Sequence, residues 1–225
     1  MNITLTILGF APALAWLFFY LKEDIHPEPK KLIAFTFILG AAFAFLALAA
    51  ELIANKTLGW IGIAALSPLS LVVLAFIEEL AKFEAAYIAV HKNPDFDEPV
   101  DAMIYMVIAA LGFATVENLG AIHSGDPSQT ALLSTVFETT TLRFVGATLL
   151  HTLASALLGY YWAKGIRAFQ SRRPLIIGFI LAVALHSVFN FFILNYGNFL
   201  YPLLIVMTSS FFILGDFEKL KRKVI

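Results

Sequence analysis

Apolar residues run in stretches of about twenty, separated by short polar segments, at 2–21, 30–54, 68–92, 99–123, 143–165, 173–194 and 197–216. At about 1.5 Å per residue, a helix over each stretch is long enough to cross a hydrocarbon layer roughly 30 Å thick. No ten-residue segment alternates apolar with polar side chains, which argues against a transmembrane barrel. The pattern therefore predicts an all-α, polytopic transmembrane bundle of seven spans. Residues 1–225 read as a single membrane-embedded domain, without internal repeat, low-complexity stretch or soluble second domain. Residues 129–142, QTALLSTVFETTTL, are less apolar and predict either an interfacial helix or the first turns of a long fifth helix. The first stretch, Asn2 to Leu21, has no basic n-region before it and reads as a span rather than a cleaved signal.

Basic residues between the spans orient the bundle. Lys22, Lys30 and Lys31 fall in the first loop, Lys92 in the third, and Lys164, Arg167, Arg172 and Arg173 in the fifth. The tail carries Lys219, Lys221, Arg222 and Lys223. The loops between them hold only Lys56, with no Lys or Arg at 124–130 or 195–198. The positive-inside rule then places the N-terminus outside and the C-terminus inside, which requires an odd number of spans.

Composition agrees with that reading. The 225 residues are 60% hydrophobic and only 14% charged, where a soluble domain is nearer a quarter charged, so the surrounding solvent is a lipid bilayer. The net charge of −1 and the lack of a basic patch give no reason to expect nucleic acid. With no cysteine, disulfides, a thiol nucleophile and thiolate metal ligands are excluded.

Against this background the polar residues inside the spans stand out, because a charge at a helix centre costs about 2.5–3.5 kcal/mol on insertion scales. The third span carries Glu78, Glu79, Lys82 and Glu84. Lys82 lies i,i+4 from Glu78 and i,i+3 from Glu79, so it can neutralise one of them. An ion pair serving only helix packing would need one glutamate, and here there are two. The fourth span holds Glu117 and Asn118 near its outer end, and Gly112 nearby lets another helix approach. Asp95, Asp97, Glu98 and Asp101 fall at its inner boundary, where solvation explains them. His26, His91 and His123 sit at helix ends, whereas His151 and His186 lie inside the fifth and sixth spans. His186 and Asn190 are i,i+4 and share a face. Arg143, near the outer end of the fifth span, can pair with Glu138 or reach the interface. Counted inward from the outer ends, Glu78, Glu79, Glu117, His151 and His186 fall roughly 9 to 16 Å deep, in one layer of the bundle.

Carboxylates, two histidines and an asparagine in a buried, partly hydrated layer suit hydrolysis. Glu78 or Glu79 can act as general base on a water, with His151 sharing that task. Alternatively a divalent metal such as zinc, held among Glu79, Glu117, His151 and His186, can activate the water. His186 and Asn190, one turn apart, can donate hydrogen bonds to an oxyanion. HExxH and GxSG elements are absent, and Gly125-Asp126 and Gly215-Asp216 fall where paired aspartyl catalysts would not work. The rival reading is a proton- or ion-coupled transporter titrating the same cluster, which would call for repeat symmetry between halves.

Glu78-Glu79-Leu80-Ala81-Lys82-Phe83, Asp97-Glu98-Pro99-Val100-Asp101, Gly112-Phe113-Ala114 followed by Glu117-Asn118, Arg143 with His151, and His186 with Asn190 together resemble the PrsW family of membrane proteases. That family is related to the CAAX-processing and bacteriocin-processing peptidases, and the motifs cover residues 76–190. The resemblance implies a multi-pass protein of a bacterial or archaeal cell membrane that makes the first, extracytoplasmic cut in a membrane-anchored substrate, an anti-sigma factor. It implies that Glu78 and Glu79 are the essential pair, His151 the intervening histidine, and His186 with Asn190 the last motif. Lys82, Glu117, Asn118, Arg143 and Asp101 would support them. The family is classed with metalloproteases and its relatives with glutamate proteases, so the resemblance leaves metal use open. Ala102 and Met106 stand where the family often has glycine, which bears on packing around Asp101.

Overall fold

The structure, a computed structural model, describes residues 3–24, 26–123, 132–167, 171–196 and 199–221, and of residues 132–137 and 167 the backbone alone. These residues form α1 (Ile3–Tyr20), α2 (Lys30–Trp60), α3 (Pro68–Val90), α4 (Asp101–His123), α5 (Leu132–Val145), α6 (Ala147–Arg167), α7 (Arg172–Tyr196) and α8 (Leu200–Lys221), with no strand among them. The N–H of Gly146 donates to the Leu142 carbonyl and its own carbonyl accepts from Leu150, so α5 and α6 run on as one long rod. The less apolar stretch is therefore the beginning of a long fifth helix. Its residues 129–131, like Gly125-Asp126, the 124–130 loop, Arg222 and Lys223, lie outside the described residues.

Six helical segments are long and apolar enough to span a membrane: α1, α2, α4, Glu138–Ile166, α7 and α8. The expected seventh, α3, fails that measure through its own charges. It is still about 34 Å long by its 23 residues, and it packs against α2, α4 and α7. Glu78, Glu79 and Lys82 are buried there. Ser67 caps α3, accepting from the N–H of Ser70, and Pro68 occupies the first turn where its missing N–H costs nothing.

α4 forms the axis. Every residue from Asp101 to Thr115 is buried, as expected for a helix apolar on all sides. One core cluster draws residues from α1, α2, α3, α4, α6, α7 and α8 around it. Contact with α2 is closest at two glycines. A Cβ on Gly40 would fall 2.0 Å from the Ala109 carbonyl oxygen, and one on Gly112 would fall 2.0 Å from that of Phe37. The two backbones touch there, as small residues permit.

Contacts fix the two ends of the bundle. Lys221 bonds Glu23 at 2.5 Å and His26 pairs with Glu98, so the α1–α2 and α3–α4 connections and the C-terminal end of α8 meet at one end. Asn195 donates to the Leu66 carbonyl at the other. Lys22, Lys30, Lys92, Arg172 and Lys219 belong to the first end and Lys56 to the second.

The first end holds a buried carboxyl cluster. Oδ2 of Asp101 accepts from the backbone N–H groups of Asp97 and Glu98 at 3.0 and 2.7 Å, and the hydroxyl of Tyr105 donates to Glu28 at 2.5 Å. Asp101 is thus a buried cap rather than a solvated boundary residue. Sixteen residues along α4 separate it from Glu117, about 24 Å, so it does not support the intramembrane site directly.

Burial pushes the Glu28 carboxyl from its ordinary 4.5 up to about 8; the Tyr105 hydrogen bond lowers it, and the neighbouring Asp101 adds to the rise. The folded chain keeps a proton there that the unfolded chain releases near 4.5. The resulting stabilisation is complete below about pH 4.5 and is lost as the pH rises towards 8. Glu28→Gln keeps a neutral partner for Tyr105 and is expected to flatten the fall in stability between about pH 5 and 8. Thermal unfolding of both chains across that range is the check, and parallel curves would refute it.

Candidate active site

Four helices bring their rare side chains to one point near the end of the bundle opposite Glu28. α3 supplies Glu78, Glu79 and Lys82 from adjoining turns. α4 supplies Glu117 and Asn118, the continuous α5–α6 rod Arg143, Thr148, His151 and Ser155, and α7 His186 and Asn190. On α6, residues 148, 151 and 155 repeat at helical spacing and so face one way.

Glu79 is fully buried, with both oxygens engaged. Lys82 donates to its Oε1 at 2.6 Å, His186 Nδ1 lies 2.7 Å from the same atom, and the Ser155 hydroxyl donates to Oε2 at 3.4 Å. Glu117 Oε2 in turn lies 2.9 Å from His151 Nε2 and accepts from Arg143 Nη2 at 2.9 Å. Arg143 Nε also donates to Asn118 Oδ1, and the Asn118 amide donates to Thr148 at 3.2 Å. Arg143 pairs with Glu117 and Asn118 rather than with Glu138.

These bonds assign the tautomers. A carboxylate accepts, so Nδ1 of His186 and Nε2 of His151 carry the hydrogens. The remaining nitrogens, His186 Nε2 and His151 Nδ1, then present lone pairs. Oε2 of Glu78 lies 3.7 Å from the first and 3.8 Å from the second. It is buried and has no hydrogen-bond partner among the described residues. Lys82 Nζ is 4.0 Å away and lies 3.0 Å from His151 Nδ1, to which it donates.

Glu78, His151 and His186 can hold a metal ion, since their three ligand atoms lie within 4.8 Å of one another. The donor chemistry fits. One carboxylate and two imidazoles are a common catalytic zinc set, and each imidazole is backed on its far nitrogen by a carboxylate, as metal-bound histidines usually are. Charge fits as well, because Lys82 and Arg143 face Glu51, Glu78, Glu79 and Glu117, and a divalent cation would offset the surplus. A bound cation would replace the Lys82 hydrogen bond to His151.

Of the residues expected around a metal, His151 and His186 fall in this group together with Glu78, while Glu79 and Glu117 lie behind the two histidines. Asn190 lines the adjoining cavity of about 320 Å³, together with Glu78, Glu117, Arg143, His151 and His186. His91 and His123, expected to be without chemical role, bond the carbonyls of Tyr87 and Leu119 in their own helices.

Sequence reasoning passed over Glu51, Thr148 and Ser155. Glu51 of α2 lines a groove together with Glu117 and Arg143. Its signal was hidden by a boundary: polar Asn55, Lys56 and Thr57 end the apolar run, so Glu51 reads as the edge of a span. The helix continues to Trp60 and carries Glu51 well inside.

The relatives named Protease PrsW include three from different bacteria. That of Geobacillus kaustophilus (strain HTA426) is 32% identical over 190 residues, covering 83% of this chain and 78% of its own. That of Clostridioides difficile (strain 630) is 29% identical over 92% of this chain and 86% of its own. That of Bacillus subtilis (strain 168) is 27% identical over 87% and 85%. No solved structure matches. The sequence profile described as PrsW family intramembrane metalloprotease matches residues 28–214. The chain is therefore a multi-pass membrane protein and an intramembrane hydrolase, and belongs to the PrsW family of intramembrane proteases.

Proposed function

We propose that the chain hydrolyses a peptide bond on the extracytoplasmic side of a membrane-anchored protein of the anti-sigma factor kind, at the centre formed by Glu78, His151 and His186. The observation that carries this reading is the unpartnered Oε2 of Glu78, facing the lone pairs of two histidines whose other nitrogens are tied to Glu79 and Glu117. The clustering of basic residues at the opposite end supports an outward-facing site, with the N-terminus out and the C-terminus in.

A divalent metal such as zinc, held by Glu78, His151 and His186, would supply Lewis-acid polarisation and a more acidic water. Glu79 and Glu117 hold the two imidazoles in the tautomers described. A water in the cavity adds to the carbonyl carbon, and the Glu78–Glu51 carboxyl pair takes up its proton. The Asn190 amide donates to the developing oxyanion. The pair then returns the proton to the amide nitrogen as the C–N bond breaks, leaving a carboxylic acid that keeps the water's second proton until it ionises, and a free amine.

Purified protein incubated with a single-span substrate, with and without chelator, tests the reading by mass mapping of the products. One cut in the extracytoplasmic segment, lost with chelator and restored by zinc, is expected. An intact substrate would overturn it.

A further inference from the structure

Among the described residues, two large grooves open on the flanks of the bundle, and one of them shares lining residues with the catalytic cavity. The first, of about 680 Å³ between α3 and α7, is walled by apolar residues such as Val72, Phe76, Ile180 and Val183, and shares no residue with the cavity. The second, of about 690 Å³, lies between α2 and α4 and is lined by Leu48 and Glu51 of α2, Val116, Glu117 and Gly120 of α4, and Arg143. Glu117 and Arg143 also line the catalytic cavity.

The shape of this second groove follows from the glycine contact. α2 and α4 touch at Gly40 and Gly112, and beyond that point they part. A Cβ on Gly120 would meet nothing within 4 Å. Phe45 and Leu48 on the facing helix are exposed, so the groove is open towards the side of the bundle that faces lipid. Its inner wall is polar: Glu51 lines it, and the Arg143–Glu117 ion pair at 2.9 Å stands between groove and cavity. Thus an apolar groove from the flank ends at the ion pair that also lines the catalytic cavity.

We propose that the α2–α4 groove seats an extended, apolar segment of the membrane-anchored substrate next to the bond to be cut, with the Arg143–Glu117 pair as the partition it passes. This rests on the proteolytic reading above. An extended peptide is the occupant because groove and cavity have Glu117 and Arg143 as a common wall, so a chain that lies along the groove and passes this pair can present a carbonyl beside Glu78. Its volume is within the range of pockets that bury most of a ligand. The apolar wall selects apolar side chains flanking the cut, and Glu51 disfavours an acidic residue there.

The chain has no cysteine, so single cysteines report position directly. Gly120→Cys and Leu48→Cys face the groove from its two walls, and Ile180→Cys marks the α3–α7 groove. Each variant is combined in membranes with a single-span substrate bearing one cysteine near its scissile bond, and mild oxidation is applied. Disulfide-linked product is expected with Gly120→Cys and Leu48→Cys and not with Ile180→Cys, while the unaltered chain cuts the substrate. Linkage through Ile180→Cys alone would overturn the proposal, as would linkage through none of them while cutting continues, which would leave the groove to lipid. Failure of the unaltered chain to cut at all would overturn the proteolytic reading and this proposal with it.

Discussion

Glu78→Gln is expected to lower cleavage of a single-span substrate by roughly 10³-fold or more while the protein still folds. Glutamine preserves the size of the side chain, so helix packing is retained. It removes the negative oxygen that faces both imidazoles, and with it a proton acceptor and an anionic ligand. Glu79 cannot take over, because Lys82, His186 and Ser155 already occupy its oxygens. Steady-state kinetics on protein of matched thermal stability is the measurement. A variant within about tenfold of the unaltered chain would show that Glu78 is not at the reacting centre.

Lys82→Met is expected to be among the most destabilising single changes in the bundle, by about 3–5 kcal/mol. The ammonium is fully buried and is held 2.6 Å from the fully buried Glu79. It also lies over the Phe113 ring, 5.2 Å from the centroid. Methionine fills much of the same volume but leaves a carboxylate in the interior without its cation. Removing one member of a buried pair costs far more than removing both. The double variant Lys82→Met with Glu79→Gln should therefore be less unstable than the two single effects added together, a coupling that a double-mutant cycle in detergent would measure. Strictly additive effects would contradict the pairing.

Much of this architecture was legible in the order of apolar and polar residues. Spans read from runs of about twenty apolar residues match helices in the structure, because in lipid the backbone must satisfy itself and the helix is the simplest way to do so. The depth argument was also sound, since Glu78, Glu79, Glu117, His151 and His186 do meet. Atoms were not legible, however. Residue type admits Glu79 and Glu117 as metal ligands as readily as Glu78. The choice depends on which oxygen faces which nitrogen, and that is set by the rotation of α3 and α4 against α6 and α7. Arg143 could not be assigned for a related reason: its partner Glu117 is 26 residues away in sequence, whereas Glu138 is close in sequence but unpaired with it. Glu51 was missed because α2 continues past a polar stretch that ends the apolar signal. Asp101 resembled a solvated boundary residue because its burial arises from the α3–α4 loop folding over it, a tertiary effect without local signature.

The relation of Glu79 and Glu117 to the two histidines also gives the motifs a physical order. Each imidazole is fixed from behind by a carboxylate, and each carboxylate by a cation, Lys82 or Arg143. This arrangement holds the two lone pairs towards Glu78, and of the three inward-facing atoms only His151 Nδ1 is engaged, by Lys82.

The most direct test of that centre is the metal content of the purified chain, measured by elemental analysis after dialysis, beside that of His186→Ala and His151→Ala. The account predicts about one divalent ion per unaltered chain and almost none in either variant that retains its helical content. Equal metal in all three chains, or none in the unaltered chain while it cuts its substrate, would contradict it.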